Sequence, residues 1–323
     1  MATGEVFAFN TGDKKKLKSR SSLKDSKLLL GADRFFQIFQ MLLEKRTRRF
    51  ILNPGISIVI MSIVVLCGVF APQIAPHNPN KGNLEQQFLV PAWMPGGSSE
   101  HLLGTDYFGR DVFSRLLYGA RVSITVAASA ILISACFGTL LGLISGYSGG
   151  VTDTIIMRIT DSMWSMPWLV IAIVLAAAFG ASLINTIFVL GFFGWPMYAR
   201  QIRALSLVIK EQDYIALAKV AGASAPRMLI KHFVPNIIPT FLVLATLDIG
   251  NVILAEATLS FLGLGVPPPT ASWGSMSAEG QGYIATLWWL PLFPGLAIFI
   301  TVMVANILGD WFRDYLDPKL RQL

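Results

Sequence analysis

Six stretches of this chain are apolar over the length of a membrane-crossing helix, and nothing else limits its fold as strongly. They are Ile51–Ala75, Val122–Ser145, Met157–Phe179, Leu183–Met197, Ile237–Phe261 and Leu287–Leu308. A hydrocarbon core ~30 Å thick takes about 20 helical residues. In lipid only helices and closed barrels satisfy their own backbone. Barrel strands would alternate in hydrophobicity over about 10 residues, and nothing here alternates. The windows therefore predict an all-α membrane protein with six transmembrane helices. Arg158 and Asp161 place the start of the third window at an interface, and Pro196 breaks the short fourth one. Composition agrees, because only 14% of the 323 residues are charged, against about 25% in soluble domains. An ordinary soluble enzyme, a disordered chain and a secreted disulfide scaffold are excluded. Cys67 and Cys136 both sit in apolar runs.

The net charge of +7 has a definite address. Residues 1–50 alone carry twelve Lys and Arg against five acids, and they run straight into the first window. The loop between the fourth and fifth windows sets Arg200, Arg203, Lys210, Lys219, Arg227 and Lys231 against Glu211 and Asp213, a net of +4. Residues 76–118 are slightly acidic, and the loops between the third and fourth and between the fifth and sixth windows contain no Lys or Arg. Basic residues collect on the cytoplasmic side of a membrane, so both termini are expected there. Phe35, Phe36, Phe39, Leu42 and Leu43 form one apolar face ahead of Lys45 and Arg46. That face predicts either a helix lying on the anionic inner leaflet or one packed on the protein's own spans. The organisation is a basic segment 1–50, a first helix with an extracytoplasmic segment 51–118, a five-helix core 119–310 and a tail 311–323.

The loop 198–236 is longer and more ordered than a connection requires. Asp213 is placed to cap a short helix over Tyr214–Ala221, and Gly222 to end it in the left-handed conformation. Pro226 can open a second helix, with Pro235 ending it before the fifth span. Pro196 and Pro235 then bracket a protruding lever.

Ala216-Leu217-Ala218, three residues, Gly222, nine residues and His232-Phe233-Val234-Pro235 resemble the signature loop of ABC importer membrane subunits. Other blocks resemble the C-type permease of the oligopeptide/dipeptide/nickel class. They include Leu103-Gly-Thr-Asp-Tyr-Phe-Gly-Arg-Asp-Val-Phe-Ser-Arg115, Glu256-Ala-Thr-Leu-Ser-Phe-Leu-Gly-Leu-Gly265 and Pro268-Pro-Thr-Ala-Ser-Trp-Gly274. Gly309-Asp-Trp-Phe-Arg-Asp-Tyr-Leu-Asp-Pro318 completes a collinear set over residues 45–320. The resemblance implies a type I ABC importer permease fold and a non-enzymatic subunit forming half of a translocation pore. It implies as partners a homologous second permease, two ABC ATPase subunits and an extracytoplasmic substrate-binding protein, with ATP and Mg held by the ATPases. Peptide is the majority cargo of that class; nickel-chelate and oligosaccharide cargo also occur. Coupling to the ATPase is expected through Tyr214, Ala216, Ala218, Lys219, Gly222, Ala223 and Ser224. The signature's acidic residue is replaced by Ala216, which leaves the anchoring polar contact to Glu211, Asp213 or Lys219.

Independent signs agree. The phosphate loop Gly-x-x-x-x-Gly-Lys-Ser/Thr is absent from the sequence, and no nucleic-acid site is visible. A secondary transporter would show an inverted repeat, and none can be traced. Asp248 and Glu256, ionisable residues within a span, read either as cargo-facing groups or as buried hydrogen-bond partners. Trp164, Trp168 and Trp195, with several Met nearby, read as helix packing or as a soft pore lining. Trp288 and Trp289 read as an interfacial belt, and Pro291 and Pro294 predict a kink. His77 and His101 lack metal-ligand spacing, so no metal site is expected.

Overall fold

Between residues 54 and 316, which the computed structural model describes, every regular element is helical. The basic segment 1–50 with its expected surface helix, and the end of the tail, lie outside the described residues. The first window yields α1 (Pro54–Val69) and one further turn, α2 (Ala71–Ile74). Then follow α3 (Val112–Ser148), α4 (Gly150–Ser165), α5 (Trp168–Phe179) and α6 (Leu183–Lys210). The long loop holds α7 (Asp213–Val220) and α8 (Ala225–Met228). A π-turn, Leu229–Phe233, leads into α9 (Val234–Phe261), and α10 (Trp273–Gln281) and α11 (Trp289–Leu316) complete the chain. Among the described residues, α3, the run Ala225–Phe261 and α11 are each long and apolar enough to cross a membrane. The pair α4 and α5 qualifies as one broken span, bent by 84°.

That bend corrects the third window, which is not a straight helix. Pro167 forces the preceding Met166 into the extended region (φ −82°, ψ 134°), as proline's ring does to the residue before it. The fourth window is corrected in the opposite sense, since α6 passes through Pro196 without ending and runs on to Lys210. Pro196 therefore does not bracket a lever. Nor does Pro235, which sits in the first turn of α9 and not at the end of a separate helix. The second loop helix merges with the fifth span through the π-turn, closed by Val234 N–H on the Leu229 carbonyl.

What carries α6 past its proline is its fit to α3. Gly138, Gly142 and Gly146 lie four residues apart on one face of α3, directly against α6. A Cβ at Gly142 would sit 2.5 Å from the Ala199 carbonyl oxygen and 3.0 Å from Ile202 Cβ. Gly191 and Gly194 return the fit from α6, against Ile133 and Ser134. Small residues at this spacing let helix backbones approach closely in lipid, where no hydrophobic force drives helices together. Gly142→Leu should destabilise the protein by about 1–3 kcal/mol through overpacking. Thermal unfolding in detergent reads this, and an unchanged midpoint would remove the glycine seam from the account.

The central core lies among α3, α6 and α9, with Val126, Ala130, Val189, Tyr198 and Ile253 buried together. A second cluster under the loop joins Ile202 and Ile209 to Ile215, Met228 and Phe233. The third gathers Val112, Ala271, Met276, Trp289 and Leu290 around α10. Trp289 is therefore a core residue rather than part of an interfacial belt; its neighbour Trp288 is exposed. Helix α10 answers to no apolar window. A capping box, Ser272 with Ser275, starts it, and Trp273 donates through Nε1 to the Leu116 carbonyl (3.0 Å), tying it to α3.

Candidate functional site

Two regions bring the expected residues together. The first is the loop helix α7. Its N-cap is Gln212, which makes no side-chain cap bond, so Asp213 begins the helix instead of capping it. The other end forms as the sequence predicts: Gly222 has φ +78°. Gly222 N–H reaches the Lys219 carbonyl (3.0 Å) and Ala223 N–H the Ala218 carbonyl (3.1 Å), which is the paired pattern of a Schellman stop. Ile215 is buried, and Ala218 and Ala223 pack partly against the second cluster. On the other side Leu217 and Val220 are 70% and 87% exposed, with Ala216, Lys219 and Ser224 also exposed. Tyr214 is tied back to the chain entering α9, where Asn236 Nδ2 donates to its hydroxyl (3.4 Å).

Ionic ties brace α6, the helix that leads into this loop, against α3 and α4. Arg203 on α6 makes paired bonds of 2.5 and 2.6 Å to Asp153 on α4, and Ser145 also donates to Asp153. Lys210 Nζ caps the Tyr147 carbonyl at the end of α3 (2.8 Å). Arg200 pairs with Asp161 (2.7 Å) and lies 4.0 Å over the Trp164 ring.

The second region is a cavity of about 630 Å³ between the α4–α5 bend, α6 and α9. Trp164, Trp168 and Asp248 line it, together with Met163, Met166 and Met197. The Trp and Met residues of the third and fourth windows thus divide by role: Trp195 is buried packing, whereas Trp164 and Trp168 face open space. Asp248 is 6% exposed and accepts from Tyr198 Oη (3.0 Å). Glu256 does not line the cavity. It is fully buried and takes hydroxyl protons from Ser123 (2.9 Å) and Ser260 (2.7 Å), which joins α9 to α3. Of the two carboxylates, only Asp248 borders the cavity.

Outside these regions the residues 103–115 form a compact knot that the sequence resemblance marks and residue types alone do not explain. Asp106 Oδ1 accepts from the Phe108 (2.9 Å) and Arg110 (3.0 Å) amides. Asp111 caps α3 through the Ser114 amide (2.7 Å). Arg110 and Arg115 each donate to Glu279 Oε2 at 2.9 Å, which pins the knot to α10. The fold also brings Asp111 to His77 and His101, an acidic neighbour that linear spacing does not show. There His101 Nδ1 meets Asp111 Oδ1 (3.0 Å) and His77 Nε2 meets the Glu100 carbonyl (2.8 Å).

Residues 138–322 match the family described as binding-protein-dependent transport system inner membrane component. The chain belongs to that family. It is 45% identical to the dipeptide transport system permease protein DppC of Escherichia coli, over 83% of this chain and 89% of that protein. With DppC of Haemophilus influenzae it shares 43% identity over 83% of this chain and 90% of the relative. A di/tripeptide transport system permease of Pseudomonas aeruginosa is 40% identical, over 82% and 88%. The chain is thus a bacterial inner-membrane permease component of a binding-protein-dependent transport system.

Proposed function

We propose that this subunit forms half of the pore of an ATP-driven importer of di- and oligopeptides, crossing the membrane six times with both termini inside. In this reading the broken pair α4–α5 makes one crossing and α6 another. A second homologous permease completes the pore, two ATPase subunits carry ATP and Mg, and an extracytoplasmic receptor delivers cargo. The peptide-permease names of the relatives support the cargo class.

The observation that carries this reading is the position of α7. With α8 and the π-turn it joins the C-terminal end of α6 to the start of α9, and those two helices wall the cavity. The exposed Leu217 and Val220 give it an apolar face for a cleft in the ATPase. Its Schellman stop and its buried Ile215 make it a short rigid body. Asp248 lies 14 residues into α9 from Val234, about 21 Å at 1.5 Å per residue. A displacement of α7 on ATPase closure therefore reaches the cavity through two continuous helices, a two-state element that nucleotide can bias.

Mild detergent extraction of the tagged chain is the test. It should recover a second permease and two ATPases per complex, with ATPase activity raised by peptide-loaded receptor. Recovery of a transport-competent homo-oligomer that needs no ATP would end the proposal.

A further inference from the structure

Asp248 is a carboxylate in a membrane-spanning helix, and among the described residues it has no ion-pair partner. Its partners are the Tyr198 hydroxyl, with the Asn251 amide beside it. The residues lining its cavity include no Lys, Arg or His. A charge kept inside a span is costly and marks function by default. Glu256 shows how this fold treats a carboxylate that is only structural: both oxygens receive serine hydroxyls and the residue is fully buried. Asp248 is handled differently. Tyr198, itself completely buried, fixes one oxygen, while the carboxylate borders a space large enough for a small peptide.

We infer that Asp248 is a transit site for the protonated amino group of the cargo, a primary ammonium such as the N-terminus of a short peptide. This rests on the peptide-importer reading above. The chemistry of the walls selects the cation. Hard divalent ions take six or more oxygen ligands, and one carboxylate among Trp and Met side chains cannot supply them. An ammonium needs a single carboxylate and gains from an aromatic face, which Trp168 offers. Arg200, stacked on Trp164 and paired with Asp161 at the rim, shows an indole here already holding a cation.

The test uses the complete importer in proteoliposomes with saturating peptide-loaded receptor. Asp248→Asn keeps an acceptor for Tyr198 and removes the charge. It should lower dipeptide uptake at least tenfold while assembly and receptor-stimulated ATP hydrolysis persist, and Asp248→Glu should recover part of the rate. Uptake by Asp248→Asn at the wild-type rate overturns the site and leaves the peptide reading standing. If the wild-type complex moves no peptide, the peptide reading falls and the site falls with it. Should the Asn variant fail to assemble, carbodiimide coupling on the wild-type complex decides. A free dipeptide should form an amide with Asp248, the water lost being taken up by the carbodiimide as a urea, and an N-acetylated dipeptide should not. Absence of the Asp248 amide with free dipeptide overturns the proposal.

Discussion

Gly222→Glu should cut ATP-dependent uptake about 100-fold, which corresponds to about 3 kcal/mol of lost coupling, while the subunit still folds and inserts. Two costs add to that figure. Gly222 holds φ +78°, and a side chain in the left-handed region costs about 1–2 kcal/mol. The rest comes from forcing a carboxylate between α7 and the cleft that receives it, where an unpaired charge loses its water. The subunit itself should tolerate the change, because a Cβ at Gly222 meets no atom within 4 Å. Gly222→Ala separates the two costs, since it keeps the strain and omits the charge, and uptake should fall far less. The measurement is uptake beside receptor-stimulated ATP hydrolysis in proteoliposomes. Wild-type uptake by the Glu variant would show that α7 is not the coupling element.

The same loop shows how far the sequence could be read. Gly222, Pro226 and the apolar positions around Ile215 were legible because local backbone chemistry fixes them: a left-handed stop, a first-turn proline, a buried anchor. Pro196 was misread for the converse reason. Its effect depends on a partner helix, and the partner's signal is Gly138-x-x-x-Gly142-x-x-x-Gly146, a spacing that gains meaning only once α3 and α6 are known to be neighbours. The bend at Pro167 had a local cause, a proline inside an apolar window, and was open to reading. Helix α10 left the faintest trace, since nine residues with little apolar periodicity do not register as a window and only Ser272 with Ser275 marks the start. The candidate pore residues separated for a tertiary reason as well. Asp248 and Glu256 sit on one helix in similar apolar sequence, yet their roles depend on whether Ser123 of α3 or an open cavity faces them.

Glu279→Ala should destabilise the protein by about 3–5 kcal/mol, the cost of leaving a buried charge without its partner. Arg115 is 1% exposed and Arg110 5%, and both donate to the same Glu279 oxygen. Asp106 balances the second arginine, with Arg110 Nε at 2.7 Å and Arg115 Nε at 3.5 Å. The four charges sum to zero, so removing one carboxylate leaves two guanidinium groups sharing one acid. Among the described residues Arg115 Nη1 has no hydrogen-bond partner, and the adjoining cavity of about 10 Å³ is the size of about one water. The cluster thus has little capacity to rehydrate the charge that the substitution strands. Because Glu279 stands on α10 and the arginines flank the start of α3, the loss should detach the knot 103–115 from α10 and loosen the third core. A drop of roughly 10 °C in unfolding midpoint is expected, at about 2–4 °C per kcal/mol for a chain of this size. Glu279→Gln should fall between, because it retains an acceptor oxygen and loses only the charge. If Glu279→Ala unfolds within a degree of wild type, the arginines are solvated and the cluster does not hold α10 to α3.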